Sequence, residues 1–98
     1  MEMLSIVSET AIDEEIHRLL DEVEAPGFTR FSGVTGLGAT GRREGTTVWP
    51  GRNTIYLAVM EEERAARFVD LLNELIRRES ATRRLAVKVF SHPVTVRI

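Results

Sequence analysis

All seven glycines of this chain lie between Gly27 and Gly51, so both flanks lack the residue that most freely relaxes a backbone. The flanks are therefore expected to hold the regular structure. The middle is where tight turns, loops or close backbone approach to a ligand belong. Any functional reading starts from that division.

In the N-terminal flank, residues 3–7 (MLSIV) have strand composition, and Thr10 is placed to cap a helix whose first turn carries Asp13, Glu14 and Glu15. Ile12, Ile16, Leu19, Leu20 and Val23 recur at helical spacing, and Pro26-Gly27 ends the run. Residues 28–34 and 54–60 are two further β-prone runs, expected to pair as a long hairpin around the glycine-rich segment. Glu61, Glu62 and Glu63 open a second helix that Arg77 and Arg78 close, as the helix dipole favours. Its apolar face holds Ala65, Phe68, Val69, Leu72, Leu75 and Ile76, with Arg64, Arg67, Asp70 and Glu74 turned toward water. Residues 85–90 form another expected strand, and 94–98 a short terminal one after Pro93.

The predicted order is thus β-α-β-β-α-β with a short C-terminal strand, an α+β ferredoxin-like sandwich in which two helices cover one face of an antiparallel sheet. Leu85, Val87 and Val89 alternate with Ala86, Lys88 and Phe90, so both faces of the last main strand carry apolar side chains. Packing of sheets between subunits accounts for that second face.

At 98 residues the chain is read as one domain, 1–98, with a thin core that self-association would supplement. Thirteen basic against 15 acidic residues give a net charge of −2, a poor footprint for nucleic acid. With no cysteine, disulfides, thiolate metal sites and cysteine nucleophiles are absent together. No apolar run approaches the roughly 20 residues that cross a bilayer, and the acidic start is unlike a signal peptide, so a cytoplasmic protein is expected. No nucleophile–base spacing recognisable as catalytic occurs, and the chain is read as a non-enzyme. Arginine outnumbers lysine twelve to one, which singles out Lys88.

Gly36-x-Gly38-x-x-Gly41 has the spacing of a dinucleotide-binding turn, but no helical pattern follows it, so that reading fails. What remains is a loop with unhindered amides and two adjacent guanidinium groups, Arg42 and Arg43. These either meet phosphate or carboxylate or stand solvated at a hairpin tip. Trp49 either recognises a partner or folds back to pin the loop on a neighbouring subunit. His17, four residues from both Asp13 and Asp21, forms either a weak metal site or part of a solvated helix face. His92, before Pro93, is either a ligand or part of a turn.

The run TRFSGVTGLGATG over 29–41 resembles the second strand and the start of the T-loop in PII signal-transduction proteins, and the order of elements through KVFSHPV at 88–94 is similar too. The resemblance spans nearly the whole chain. It implies a small trimeric regulatory protein that binds a small-molecule effector, an adenine nucleotide (ATP, ADP or AMP), between subunits. A T-loop-like segment over about 37–53 would act on a partner, a membrane transporter or an enzyme. Gly36, Leu37 and Gly38 would then lie beside the nucleotide, with Lys88 as the phosphate-binding lysine and Arg97 as a C-terminal basic position. The sequence departs from the family in a shorter loop without the modifiable tyrosine. SATRRLAV replaces the glycine-rich turn before the lysine, and the glutamine tied to Mg²⁺ and 2-oxoglutarate has no counterpart. Two alternatives share the fold: a CutA-like trimer binding divalent metal, and a structural oligomer that senses nothing.

Overall fold

The structure, a computed structural model, describes residues 1–35 and 52–98. Strand β1 (Glu2–Glu9) runs through a 3-10 turn (Thr10–Ile12) into helix α1 (Asp13–Glu22). Strands β2 (Thr29–Val34) and β3 (Asn53–Met60) follow, then helix α2 (Glu62–Glu79) and strand β4 (Val87–Pro93). The four strands form one antiparallel sheet in the order β2-β3-β1-β4. Each helix therefore links two strands with a third lying between them, which is the ferredoxin-like arrangement expected from the sequence.

One face of the sheet and the two helices enclose the core. Alternate residues of β1 and β3, namely Leu4, Ile6, Tyr56, Ala58 and Met60, point inward and are buried. Against them pack Ile12, Ile16, Leu19, Leu20 and Val23 from the first helical segment and Ala65, Phe68, Leu72 and Leu75 from α2. Val69 and Ile76 lie at the margin of the same cluster. The helical periodicity identifies these faces correctly.

Several expectations need correction. Thr10 does not cap α1: it opens the 3-10 turn, and its hydroxyl donates to the carbonyl of Arg52 (2.8 Å). The first helix ends ahead of Pro26-Gly27, because Glu24 adopts a left-handed φ of 56°. Its N–H donates to Asp21 O (2.9 Å), and that of Ala25 donates to Leu20 O (3.0 Å), the two bonds of a Schellman motif. Arg64 and Arg67 do not simply face water, since they donate to the carbonyls of Glu24 and Glu22 and satisfy the C-terminal end of α1. Residues 94–98, finally, form no strand. Pro93 is already paired with Glu2, the first residue of β1, so the sheet offers the tail no further partner. The tail's one described backbone bond runs from Val94 N–H to Met1 O (3.1 Å). β4 accordingly runs through Pro93, later than the predicted 85–90.

Between Phe31 and Val34 the β2–β3 register shifts by one residue, and Gly33 has a φ of 73° there. A Cβ at Gly33 would meet nothing within 4 Å, so the backbone angle alone calls for glycine. Glutamate at position 24 has no such freedom, and its left-handed conformation costs about 1 kcal/mol. Replacing Glu24 with glycine is expected to raise the unfolding free energy by about that amount in urea titration, with the m-value unchanged.

Candidate functional site

The strands that bracket the glycine-rich segment end beside the start of α1, and a polar cluster forms there. Arg30 of β2 and Tyr56 of β3 are cross-strand partners on the inner face, and Thr54 lies two residues from Tyr56 on that same face. All three converge on Asp13, the first residue of α1. Arg30 Nη2 donates to Asp13 Oδ2 at 2.6 Å, and Tyr56 Oη donates to Oδ1 at 2.6 Å. Thr54 Oγ1 stands 3.4 Å from Oδ2 and 3.0 Å from Thr10 Oγ1. Because the Thr10 proton goes to Arg52 O, Thr54 is the donor between the two hydroxyls and shares its proton with the more distant carboxylate.

Burial pushes the Asp13 carboxyl up, but the hydrogen bonds from Tyr56, Arg30 and Thr54 outweigh it and hold the group below its ordinary 3.8. The Tyr56 phenol moves the other way, well above its ordinary 10.0, through burial and then through the bond it donates to Asp13. The two titrations act on stability at opposite ends of the pH scale. The stabilisation from Asp13 is complete above 3.8 and is lost as pH falls through the lower folded value. That from Tyr56 is complete below 10.0 and is lost as pH rises through the higher one.

His17, one helical turn beyond Asp13, packs against this cluster. Its ring centroid is 5.2 Å from that of Phe28 and 5.4 Å from that of Tyr56, which is in turn 5.6 Å from Phe28. The expected solvated helix face is therefore wrong at this position: His17 Nε2 is buried without a hydrogen-bond partner, while Asp13 is engaged with Tyr56 and Arg30. His92 is likewise not in a turn but in β4, exposed and opposite Met3. Among the described residues no group of three or more His, Asp or Glu side chains is arranged to hold a metal ion.

Of the residues singled out in the sequence, Gly36, Leu37, Gly38, Arg42, Arg43 and Trp49 lie outside the described residues. Lys88 is exposed on the face of the sheet away from the helices, opposite Val7. Arg97 is exposed in the segment that leaves the far end of β4. Along the strand, Lys88 and Pro93 are about 17 Å apart at the usual rise per residue, so one protomer does not gather Lys88 and the tail at the same end of the sheet. The open face carries Met3, Val7, Ile55, Leu57 and Val59, with Phe31 47% and Phe90 56% exposed at its margins.

The Asp13 cluster escapes the sequence reading, although a signal for it exists. Thr54 and Tyr56 occupy inward positions of an otherwise apolar alternation, where a polar group needs a partner. Tyr56 is the only tyrosine, so the tyrosinate absorbance band reports its ionisation alone. In the folded protein that band is expected to appear well above pH 10, and in denaturant at about 10. Asp13→Asn should bring the folded value down, since it removes the charge beside the phenol.

The family described as nitrogen regulatory protein P-II matches residues 1–97 of the chain. No curated protein sequence gives a significant match. Among solved structures, CPII from Thiomonas intermedia K12, a nitrogen regulatory PII-like protein bound to ADP, AMP and bicarbonate, aligns with a TM-score of 0.73 at 22% identity, over 93% of this chain and 82% of that one. The same protein bound to ADP and bicarbonate gives 0.64 at 24%, over 95% and 86%. A PII-like signalling protein from Thermus thermophilus gives 0.67 at 21%, over 93% and 82%. At such identities the structural likeness speaks for the fold, and the family match carries the assignment: the chain belongs to the nitrogen regulatory protein P-II family.

Proposed function

We propose that this protein is a PII-like regulator that assembles through its open sheet face, takes a small anionic effector between subunits, and acts on a partner through the segment at 37–53. The observation that carries the reading is the apolar sheet face that neither described helix covers. Two helices cover only one side of the sheet, and a surface with Leu57, Val59, Phe31 and Phe90 is of the kind that proteins bury in assemblies. A homotrimer, the assembly implied by the family resemblance, would cover it. No described helix is long and apolar enough to cross a membrane.

An adenine nucleotide is the first effector to test, because one structure of CPII is bound to ADP, AMP and bicarbonate. Lys88 is the candidate phosphate ligand, and Arg97 a second cation. Their positions toward opposite ends of β4 fit a cleft between subunits better than a pocket within one, since two copies can supply what one cannot bring together. Gly36, Leu37 and Gly38 would add backbone amides, while Arg42, Arg43 and Trp49 would serve the partner. The role is regulatory, and no catalytic step is assigned to any residue.

Calorimetric titration with ATP, ADP and AMP, each with and without Mg²⁺, tests this reading. Saturable binding is expected, weakened about tenfold or more by Lys88→Ala, the loss that follows from removing one charge-assisted contact. The absence of heat with every nucleotide would contradict the nucleotide reading and favour a structural oligomer. Binding that Lys88→Ala leaves unchanged would remove Lys88 from the site and leave it an edge-strand lysine with its amine in water.

A further inference from the structure

β2 is the least secured strand of the sheet. It lies at the edge, its residues 29–33 are exposed, and its pairing with β3 is broken by the bulge at Gly33. Two side chains of this stretch nevertheless reach across the inner face to α1. Arg30 bonds Asp13, and Phe28, just before the strand, packs on His17. Between them stands β3, whose Tyr56 touches both helix residues, through its hydroxyl at Asp13 and its ring at His17.

The spacing is what makes the crossing possible. Asp13 and His17 are four residues apart on a helix, and Phe28 and Arg30 are two apart along an extended chain, so each pair shares a face. Tyr56 lies where the two pairs cross. The Asp13 carboxylate accepts both a phenol and a guanidinium proton, and it does so with separate oxygens. On the other side of the glycine-rich segment, Arg52 gives its carbonyl to both the N–H (2.9 Å) and the hydroxyl (2.8 Å) of Thr10. Both chain ends that bracket residues 36–51 are therefore tied to the β1–α1 junction, one by side chains and the other mainly by the backbone.

The geometry points to Asp13 as the positioning residue that fixes β2, and with it the entry to the glycine-rich segment, on the first turn of α1. The ladder with β3 supplies direction, while the clasp with Arg30 and Tyr56 supplies register and attachment. Loss of the carboxylate frees β2 locally and leaves the rest of the sheet intact, because β1 pairs with β3 and β4 through unbroken ladders that do not involve Asp13. This property belongs to the chain without any effector, so its test is independent of the regulatory reading.

Amide hydrogen exchange of the nucleotide-free protein tests it. Asp13→Asn and Arg30→Met should each speed exchange in peptides over 28–34 by about tenfold, while β1, β4 and α2 keep parental rates. The double variant should add little to either single one, as expected for two halves of one interaction. Asp13→Glu, which keeps the charge, should recover much of the protection. Parental exchange over 28–34 in both single variants would overturn the proposal, as would equal loosening of β4 or a Glu variant no better protected than the Asn one.

Discussion

Helices on only one side of a four-stranded sheet are the constraint from which the rest of this molecule follows. Two amphipathic helices bury the inner face and bring their own apolar residues out of water, forming the core around Tyr56 and Phe68. They contribute nothing to the outer face, whose strands alternate just as apolar a set of side chains toward solvent. A chain of this size buries about two thirds of its unfolded surface, a smaller share than larger domains bury. Among the described residues, the outer face is therefore the main apolar area that the helices leave open.

The inner face has its own difficulty, because not all of it is apolar. Thr54 and Tyr56 of β3 and Arg30 of β2 point toward the helices near the end of the sheet where the glycine-rich segment begins. Asp13 resolves this by accepting from all three, at the expense of partial desolvation of its charge. Such a group is strongly determined by its surroundings, since each donor would lose its acceptor without it. The stability that Asp13 contributes, lost as pH falls through its lowered folded value, and the proposed placement of β2 therefore rest on one carboxylate at the start of α1. β2 and Arg52, on either side of the glycine-rich segment, are tied where the protein is polar, and the open sheet face lies where it is apolar.

Much of the fold is legible in the sequence because local signals agree with one another. Glu62 and Arg77–Arg78 mark the ends of α2, and its apolar spacing gives the buried face correctly. Thr10 misleads because a cap residue and a residue that bonds a distant carbonyl look alike in sequence, and only the tertiary position of Arg52 distinguishes them. The tail after Pro93 has the composition of a strand, but β composition needs a free partner edge, and β1 has run out. Helical periodicity assigns His17 to a wet face and does not foresee Phe28 folding back over it. Arg30's share in the Asp13 cluster is not legible either, because the β2–β3 ladder contains a bulge at Gly33 and no pattern in the sequence shows where that bulge falls.

The site proposed for an effector lies on the outer face, where Lys88 stands in the row of Val7 and Ile55, not far in register from the strand ends that Asp13 and Thr10 secure. If the outer face is the assembly surface, that lysine lies at a subunit boundary and the effector is held by more than one copy. The central claim is thus the use of this face. Sedimentation equilibrium of the wild type and of Leu57→Glu, whose charge would sit in the middle of the face, tests it most directly. The account predicts a wild type at three times the chain mass and a monomeric variant that keeps its helical circular dichroism; a monomeric wild type, or a Leu57→Glu variant with undiminished mass, would contradict it.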